Sequence, residues 1–148
     1  MYADWVANAA VVLATLASVG ACVLVHYEGL TWMSRKLLRR HDANPRRKVL
    51  MGVLGVLLLH VAELWLFGAA FWGLGRVEGT GHVVGADPLG LLDAVYLATM
   101  SYTTVGFGDV SPVGPIRFMA GTCALTGFVM ITWSASFLFL EMERFWRR

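Results

Sequence analysis

The sequence predicts an all-α integral membrane protein with three spanning helices and a shorter helix that enters the bilayer without crossing it. Three observations lead there. The 148 residues are 57 % hydrophobic and only 15 % charged, with a mean hydropathy of +0.63, whereas an ordinary soluble domain carries about 25 % charged residues. Three apolar runs, Trp5 to Val25, Val49 to Leu74 and Pro115 to Leu140, are each long enough for a membrane helix, which needs about 20 residues. A fourth run, Leu89 to Met100, is too short to span and suits a re-entrant helix. Six Trp, eight Phe and four Tyr fit interfacial anchoring. A disordered chain, rich in charge and poor in aromatics, is excluded, and the length allows one domain.

Residues 1–26 form an N-terminal transmembrane helix. Its run is rich in small residues, among them Ala7, Ala9, Ala10, Ala14, Ala17, Ser18, Gly20 and Ala21, which let helices approach closely in lipid. It is expected to pack as a peripheral collar. Cys22 and Cys123 are too few for a disulfide framework and read as small buried hydrophobes at unmatched depths.

Residues 27–48 form a basic linker. Ser34 to Lys48 holds seven of the twelve Lys and Arg residues, so the positive-inside rule makes it cytoplasmic. From Tyr27 to His41, Leu30, Trp32, Met33, Leu37 and Leu38 alternate with Arg35, Lys36, Arg39 and Arg40. That pattern predicts an amphipathic helix lying along the inner membrane face and attracting anionic lipid. Asn44-Pro45 breaks it. Arg144, Arg147 and Arg148 place the C-terminus inside as well, and only Arg76 and Arg117 lie between the second and third spans. The expected topology is N-terminus outside, three spans and C-terminus cytoplasmic, in the plasma (inner) membrane. No basic n-region precedes the first run, so a cleaved signal peptide is not expected.

The second span, 49–74, contains Glu63, about 21 Å along the helix from Val49. An ionisable group at such depth is a functional hypothesis by default. His60, one turn away, is placed to hydrogen-bond it. The pair reads as structural glue to a hydroxyl of Tyr96, Thr99 or Tyr102, as a pH-sensing pair, or as a contact to the first span. The i, i+3 spacing also occurs in carboxylate–histidine metal sites, but a di-metal bundle needs several such contributions. His26, His41 and His82 are expected at different depths. Neither GxSxG, HExxH nor a phosphate-cradling loop occurs, so no enzyme, organic cofactor or nucleic-acid partner is expected.

The short helix, about 88–102, begins where Asp87 can cap and Pro88 suits the first helical position. Beyond Tyr102 comes Thr103-Thr104-Val105-Gly106-Phe107-Gly108-Asp109. Non-helical backbone at membrane depth is tolerated only where it lines a water-filled path or is buried in protein. Gly106 and Gly108 can take positive φ, so successive carbonyls can turn to one side. Val105 and Phe107 then point away and pack behind the loop. The resulting ladder of oxygens can replace the water around a dehydrated cation.

This string, TTVGFGD, with a short helix before it and a long span after it, resembles the potassium-channel pore family over about Leu57 to Arg144. The resemblance implies a pore module over 49–148, with outer helix 49–74, pore helix 88–102, filter 103–109 and inner helix 115–142. It implies K+ sites on the carbonyls of Thr104, Val105, Gly106 and Phe107, with Gly108 completing the filter and the Thr104 hydroxyl closing its inner end. Thr103 and Asp109 flank it. One chain supplies one loop while the filter needs four, so a homotetramer that conducts K+ passively is implied. Phe107 stands where Tyr is usual and removes a hydroxyl that ties the filter to the pore helix. Met100 stands where some relatives carry a Glu that pairs with the Asp after the filter, so Asp109 either finds another partner or is solvated at the external mouth, the second being expected.

In the last span Gly127 is a candidate hinge or close-packing position. Phe128, Ile131, Ala135 and Phe139 share a helical face and are candidates for the cavity wall and gate, with Phe139 at an inner constriction. No helix carries Arg at every third position, so a voltage sensor is not expected. A soluble gating domain is likewise not expected, the chain running only a few residues past Leu140. A weakly selective cation channel and a non-conducting modulatory subunit are the alternatives.

Overall fold

A computed structural model describes residues 5–39 and 45–146. Three long helices, α1 (Trp5–Arg39), α2 (Pro45–Leu74) and α4 (Arg117–Trp146), are each long and apolar enough to cross a membrane. A short helix, α3 (Leu91–Tyr102), packs against α2 and α4, and α1 packs against the same two helices. The chain is therefore an all-α multi-pass membrane protein. One small addition is a ribbon of two three-residue strands, β1 (His82–Val84) and β2 (Ser111–Val113), paired antiparallel with Val83 opposite Pro112.

The helix ends follow local chemistry. Pro45 opens α2, four residues before the apolar run, because its fixed φ and missing N–H suit the first helical position. The short helix starts at Leu91, not at Asp87-Pro88. Gly90 is its N-cap, and the Gly90 N–H donates to the Asp93 carboxylate at 3.2 Å. The end of α2 is tied to the start of α4 by buried Thr80. Its hydroxyl donates to the carbonyls of Leu74 (2.7 Å) and Val77 (2.8 Å), and its own carbonyl accepts from the Ile116 N–H at 2.8 Å.

The first helix differs most from expectation. No break separates a span ending near Val25 from an interfacial helix: α1 runs unbroken for 35 residues. Its buried stripe is Ala7, Val11, Thr15, Ser18, Cys22, His26, Leu30 and Met33, spaced three to four residues apart as one helical face requires. The stripe crosses the expected boundary at residue 26 without interruption. Gly29 lies so close to Leu59 that an added Cβ would sit 2.7 Å from its side chain, and Gly55 lies closer still to the Met33 sulfur. Leu30, Met33 and Val56 form a small core with Leu59, Phe137 and Leu138. Residues 27–36 are therefore a packed continuation of the span, because their apolar positions keep the period of the stripe. Arg40, His41, Asn44, Arg147 and Arg148 lie outside the described residues.

The larger core gathers Phe67 and Phe71 of α2, Ala94, Leu97, Ala98 and Tyr102 of α3, and Met119, Cys123 and Met130 of α4. Cys22 and Cys123 are both free, fully buried and part of this one cluster around Tyr102, not separated as expected.

Candidate functional site

The loop 103–109 leaves α3 through a sequence of backbone bonds that use up the carbonyls of its last turn. Thr103 N–H donates to Thr99 O, Thr104 N–H to Ser101 O and Gly106 N–H to Met100 O, at 3.0, 2.9 and 3.2 Å. The Thr103 hydroxyl adds a bond to Thr99 O at 2.7 Å. Beyond this anchor the backbone alternates. Thr104, Gly106 and Gly108 have φ of 60°, 55° and 83°, whereas Val105 and Phe107 between them do not enter the left-handed region. Glycine adopts such φ freely. A β-branched Thr does so at a cost of about 1–3 kcal/mol, and strain of this kind concentrates at functional sites.

At its far end the loop is held by a contact that gives Asp109 a partner while it stays exposed. The Tyr96 hydroxyl reaches both carboxylate oxygens of Asp109, each at 2.9 Å. Tyr96 lies one turn before Met100 on the same face of α3, so it supplies Asp109 with a partner that Met100 cannot. Gly85, at φ 91°, is so close that an added Cβ would fall 1.9 Å from the Asp109 carbonyl oxygen. Val105 and Phe107 do not pack behind the loop within the subunit: they are 52 % and 72 % exposed.

Glycines bring α3 deep between its neighbours. A Cβ on Gly68 would sit 2.8 Å from Val95 Cα, and one on Gly127 would sit 2.0 Å from the Tyr102 carbonyl oxygen. At Gly127 the packing requirement alone accounts for glycine, and α4 continues through it.

Tyr102, the last residue of α3, is 1 % exposed and joins a polar cluster inside the helices. Its hydroxyl donates to Glu63 Oε2. His60 Nδ1 lies 3.0 Å from Glu63 Oε2 and 3.1 Å from the Tyr102 hydroxyl. Of the three hydroxyls weighed from sequence, Tyr96 serves Asp109, Thr99 donates to Val95 O at 2.8 Å, and Tyr102 reaches Glu63. The member that sequence reasoning missed is His26. Its Nδ1 lies 2.7 Å from Glu63 Oε1 and its Nε2 lies 3.4 Å from Ser134 Oγ on α4. His26 and His60 thus share one depth, a pairing not among the sequence expectations. The buried period of α1, which His26 continues, was the signal that could have found it.

Below Thr103 lies an apolar cavity of about 440 Å³ whose wall includes His60, Tyr102, Thr103, Ile131, Ser134 and Ala135. Ile131 and Ala135 therefore reach a cavity next to the loop. Phe128 and Phe139 do not line it and are exposed on the subunit.

Membrane-length helices packed on a short helix that ends in non-helical backbone, with a cavity below that loop, define a channel-type membrane protein. The family described as "Ion channel" matches residues 49–144, the segment from α2 through most of α4, and the chain belongs to that family. That membership supports a channel-type role for residues 49–144. The chain is similar to Protein LctB of Bacillus caldotenax, 47 % identical over 45 residues, which is 30 % of this chain and 34 % of the relative. Protein LctB of Geobacillus stearothermophilus is 48 % identical over 40 residues, 27 % of this chain and 30 % of the relative. The chain thus spans about a third of the length of the curated relatives it matches. No solved structure matches.

Proposed function

We propose that four copies of this chain form a potassium-selective channel, with 103–109 as the filter. The observation that carries the reading is the alternation of left-handed backbone at Thr104, Gly106 and Gly108 directly after a re-entrant helix. That alternation turns the carbonyls of Thr104, Val105, Gly106 and Phe107 toward one axis, where four chains complete rings of oxygens that replace the hydration shell of K+. Tetramerisation also gives Val105 and Phe107 a surface to pack on, that of a neighbouring copy. The C-terminal end of α3 directs its partial negative charge toward the cavity below and favours a cation there. Ions dehydrate at the cavity, pass in single file and leave by mutual repulsion. K+ is the transported ion, and no organic cofactor takes part. Gly127 as a hinge and Phe128 and Phe139 as gate residues belong to this reading, with Ile131 and Ala135 on the cavity wall.

The basic stretch Arg35 to Lys48 orients the subunit with its C-terminus in the cytoplasm and its N-terminus outside, in the plasma membrane, and attracts anionic lipid. The second reading, a weakly selective cation channel, rests on Phe107. The Tyr96–Asp109 bond speaks against it, because it restores a tether at the filter's outer end.

Reconstitution in liposomes decides between them. Selective K+ over Na+ flux is expected from the intact chain, and Gly106→Ala, which forces a side chain into φ 55°, is expected to abolish it. Undiminished selectivity in that variant sinks the filter assignment. A purified chain that carries no current points to a modulatory subunit.

A further inference from the structure

His26 Nδ1, His60 Nδ1 and a Glu63 carboxylate oxygen all lie within 4.8 Å of one another, contributed by α1 and α2. Two imidazole nitrogens and one carboxylate oxygen are a characteristic donor set for zinc-type divalent ions, and three protein ligands leave a fourth position open. We propose that His26, His60 and Glu63 form an intramembrane binding site for a zinc-type divalent cation that clamps the N-terminal helix onto the helix behind the loop 103–109.

Three features beyond the ligands support a site. The first is orientation from outside the ligand set: Ser134 Oγ stands 3.4 Å from His26 Nε2. A metal-bound imidazole commonly donates its other N–H to such a partner, which fixes ring and tautomer. Without an ion the His26 Nδ1–H donates to Glu63 Oε1 at 2.7 Å; when an ion binds, the ring carries its proton on Nε2, facing Ser134 Oγ, and the Nδ1 lone pair is freed for the ion. The second is charge. His26 and Glu63 are fully buried, and the groups contacting the carboxylate are His26, His60 and Tyr102, with no Lys or Arg among them. The third is access, since His60, Tyr102 and Ser134 also line the cavity of about 440 Å³, which gives an ion a route in.

Binding balances simply. Each imidazole coordinates through the Nδ1 lone pair as the neutral ring with its one proton on Nε2, any second ring proton being released to solvent, and Glu63 coordinates as the carboxylate. Water or the Tyr102 hydroxyl takes the fourth position. The two imidazole nitrogens stand 2.7 and 3.0 Å from the Glu63 oxygens, closer than the roughly 3.3 Å between ligands of a tetrahedral ion at about 2.0–2.1 Å, so the side chains part slightly by rotation to admit it.

The inference goes beyond ion conduction, and its test reads metal directly. Purified full-length protein is stripped with chelator and titrated with Co2+ as an optical probe for a zinc site. The expected result is a visible absorption band of tetrahedral cobalt at one ion per chain, displaced by Zn2+. His26→Ala and His60→Ala abolish the band, and Ser134→Ala weakens binding about 10–100-fold, as loss of a supporting partner does. His82→Ala, an exposed histidine on the ribbon, leaves it intact. Zn2+ also raises the thermal unfolding midpoint of the intact chain and not that of the two histidine variants. Circular dichroism and the oligomer's elution position establish that each variant is folded. Should His26→Ala not fold, His60→Gln, at a half-buried position, carries the same test. A chain that takes up no stoichiometric cobalt, or keeps the band in His60→Gln, overturns the site and leaves a purely hydrogen-bonded cluster. Either result leaves the K+ flux measurement as an independent question.

Discussion

Tyr96 changes how the outer end of the loop is read. With Met at 100, Asp109 has no carboxyl partner from that position, yet both of its oxygens lie 2.9 Å from the Tyr96 hydroxyl. The brace has moved one helical turn along the same face, so the loop is held by different atoms in an equivalent way. This matters because Thr104 is kept at a positive φ that a β-branched residue avoids, and such a conformation persists only when its surroundings over-determine it. Anchors stand at both ends: the α3 carbonyls at the inner one, Tyr96 and Gly85 at the outer. Removing the outer anchor with Tyr96→Phe is expected to lower K+ over Na+ preference in flux assays, while the thermal midpoint stays close to that of the unaltered chain. Unchanged selectivity would mean that solvent alone suffices to hold Asp109.

Helices in this molecule are fitted to one another by glycine and other small residues, as expected where packing and not hydrophobicity drives association. Gly127 and Gly121 of α4 make a matched pair. An added Cβ at 127 meets the Tyr102 backbone at 2.0 Å, whereas one at 121 meets nothing within 4 Å inside the subunit. Gly127→Ala is expected to destabilise by about 1–3 kcal/mol through overpacking. Gly121→Ala is expected to gain up to about 1 kcal/mol in helix propensity. Thermal melts of the two variants, side by side, check the ordering. A melt in which Gly121→Ala is the worse of the two would show that another copy covers that face. The three spans, the short helix and the TTVGFGD loop were legible because length, apolarity and a distinctive string carry them. Relative depth was not, since nothing in an apolar run fixes how far one helix slides past another. Apolarity alone therefore ends the first span near Val25, and does not bring His26 to the level of Glu63, 37 positions later. The ribbon was missed because three-residue strands leave no periodic signal.

At the scale of the whole molecule, charge and ions act on the assembly. Arg35 and Lys36 stand at the end of α1's described side chains, and Lys36 Nζ lies 4.2 Å over the Trp32 ring. That contact holds an ammonium beside an aromatic anchor. Basic residues near an anionic surface contribute about 1 kcal/mol each. Replacing Arg35, Lys36, Arg39 and Arg40 by Gln is expected to weaken flux in anionic liposomes more than in neutral ones, and an equal loss in both would count against an electrostatic role.

The proposed tetramer has a second consequence, which follows from where its ion sites lie. Each ring of carbonyls takes one oxygen from every chain, so K+ binds the assembly and has no comparable site on a separated subunit. A ligand that binds only the assembled state stabilises it by mass action, by about 2.7 kcal/mol at one hundred times its dissociation constant. Exchanging K+ for Na+ should therefore lower the temperature at which purified tetramers separate, read by size-exclusion chromatography after stepwise heating. The packing of α1 on α2 and α4 lies within one chain and should keep its helical signal through that transition. Gly106→Ala distorts the carbonyl ladder without touching that packing, since nothing lies within 4 Å of its added Cβ. In that variant the difference between K+ and Na+ should vanish while the tetramer itself still forms in either salt. A K+ effect that survives Gly106→Ala would place the stabilising ion somewhere other than 103–109.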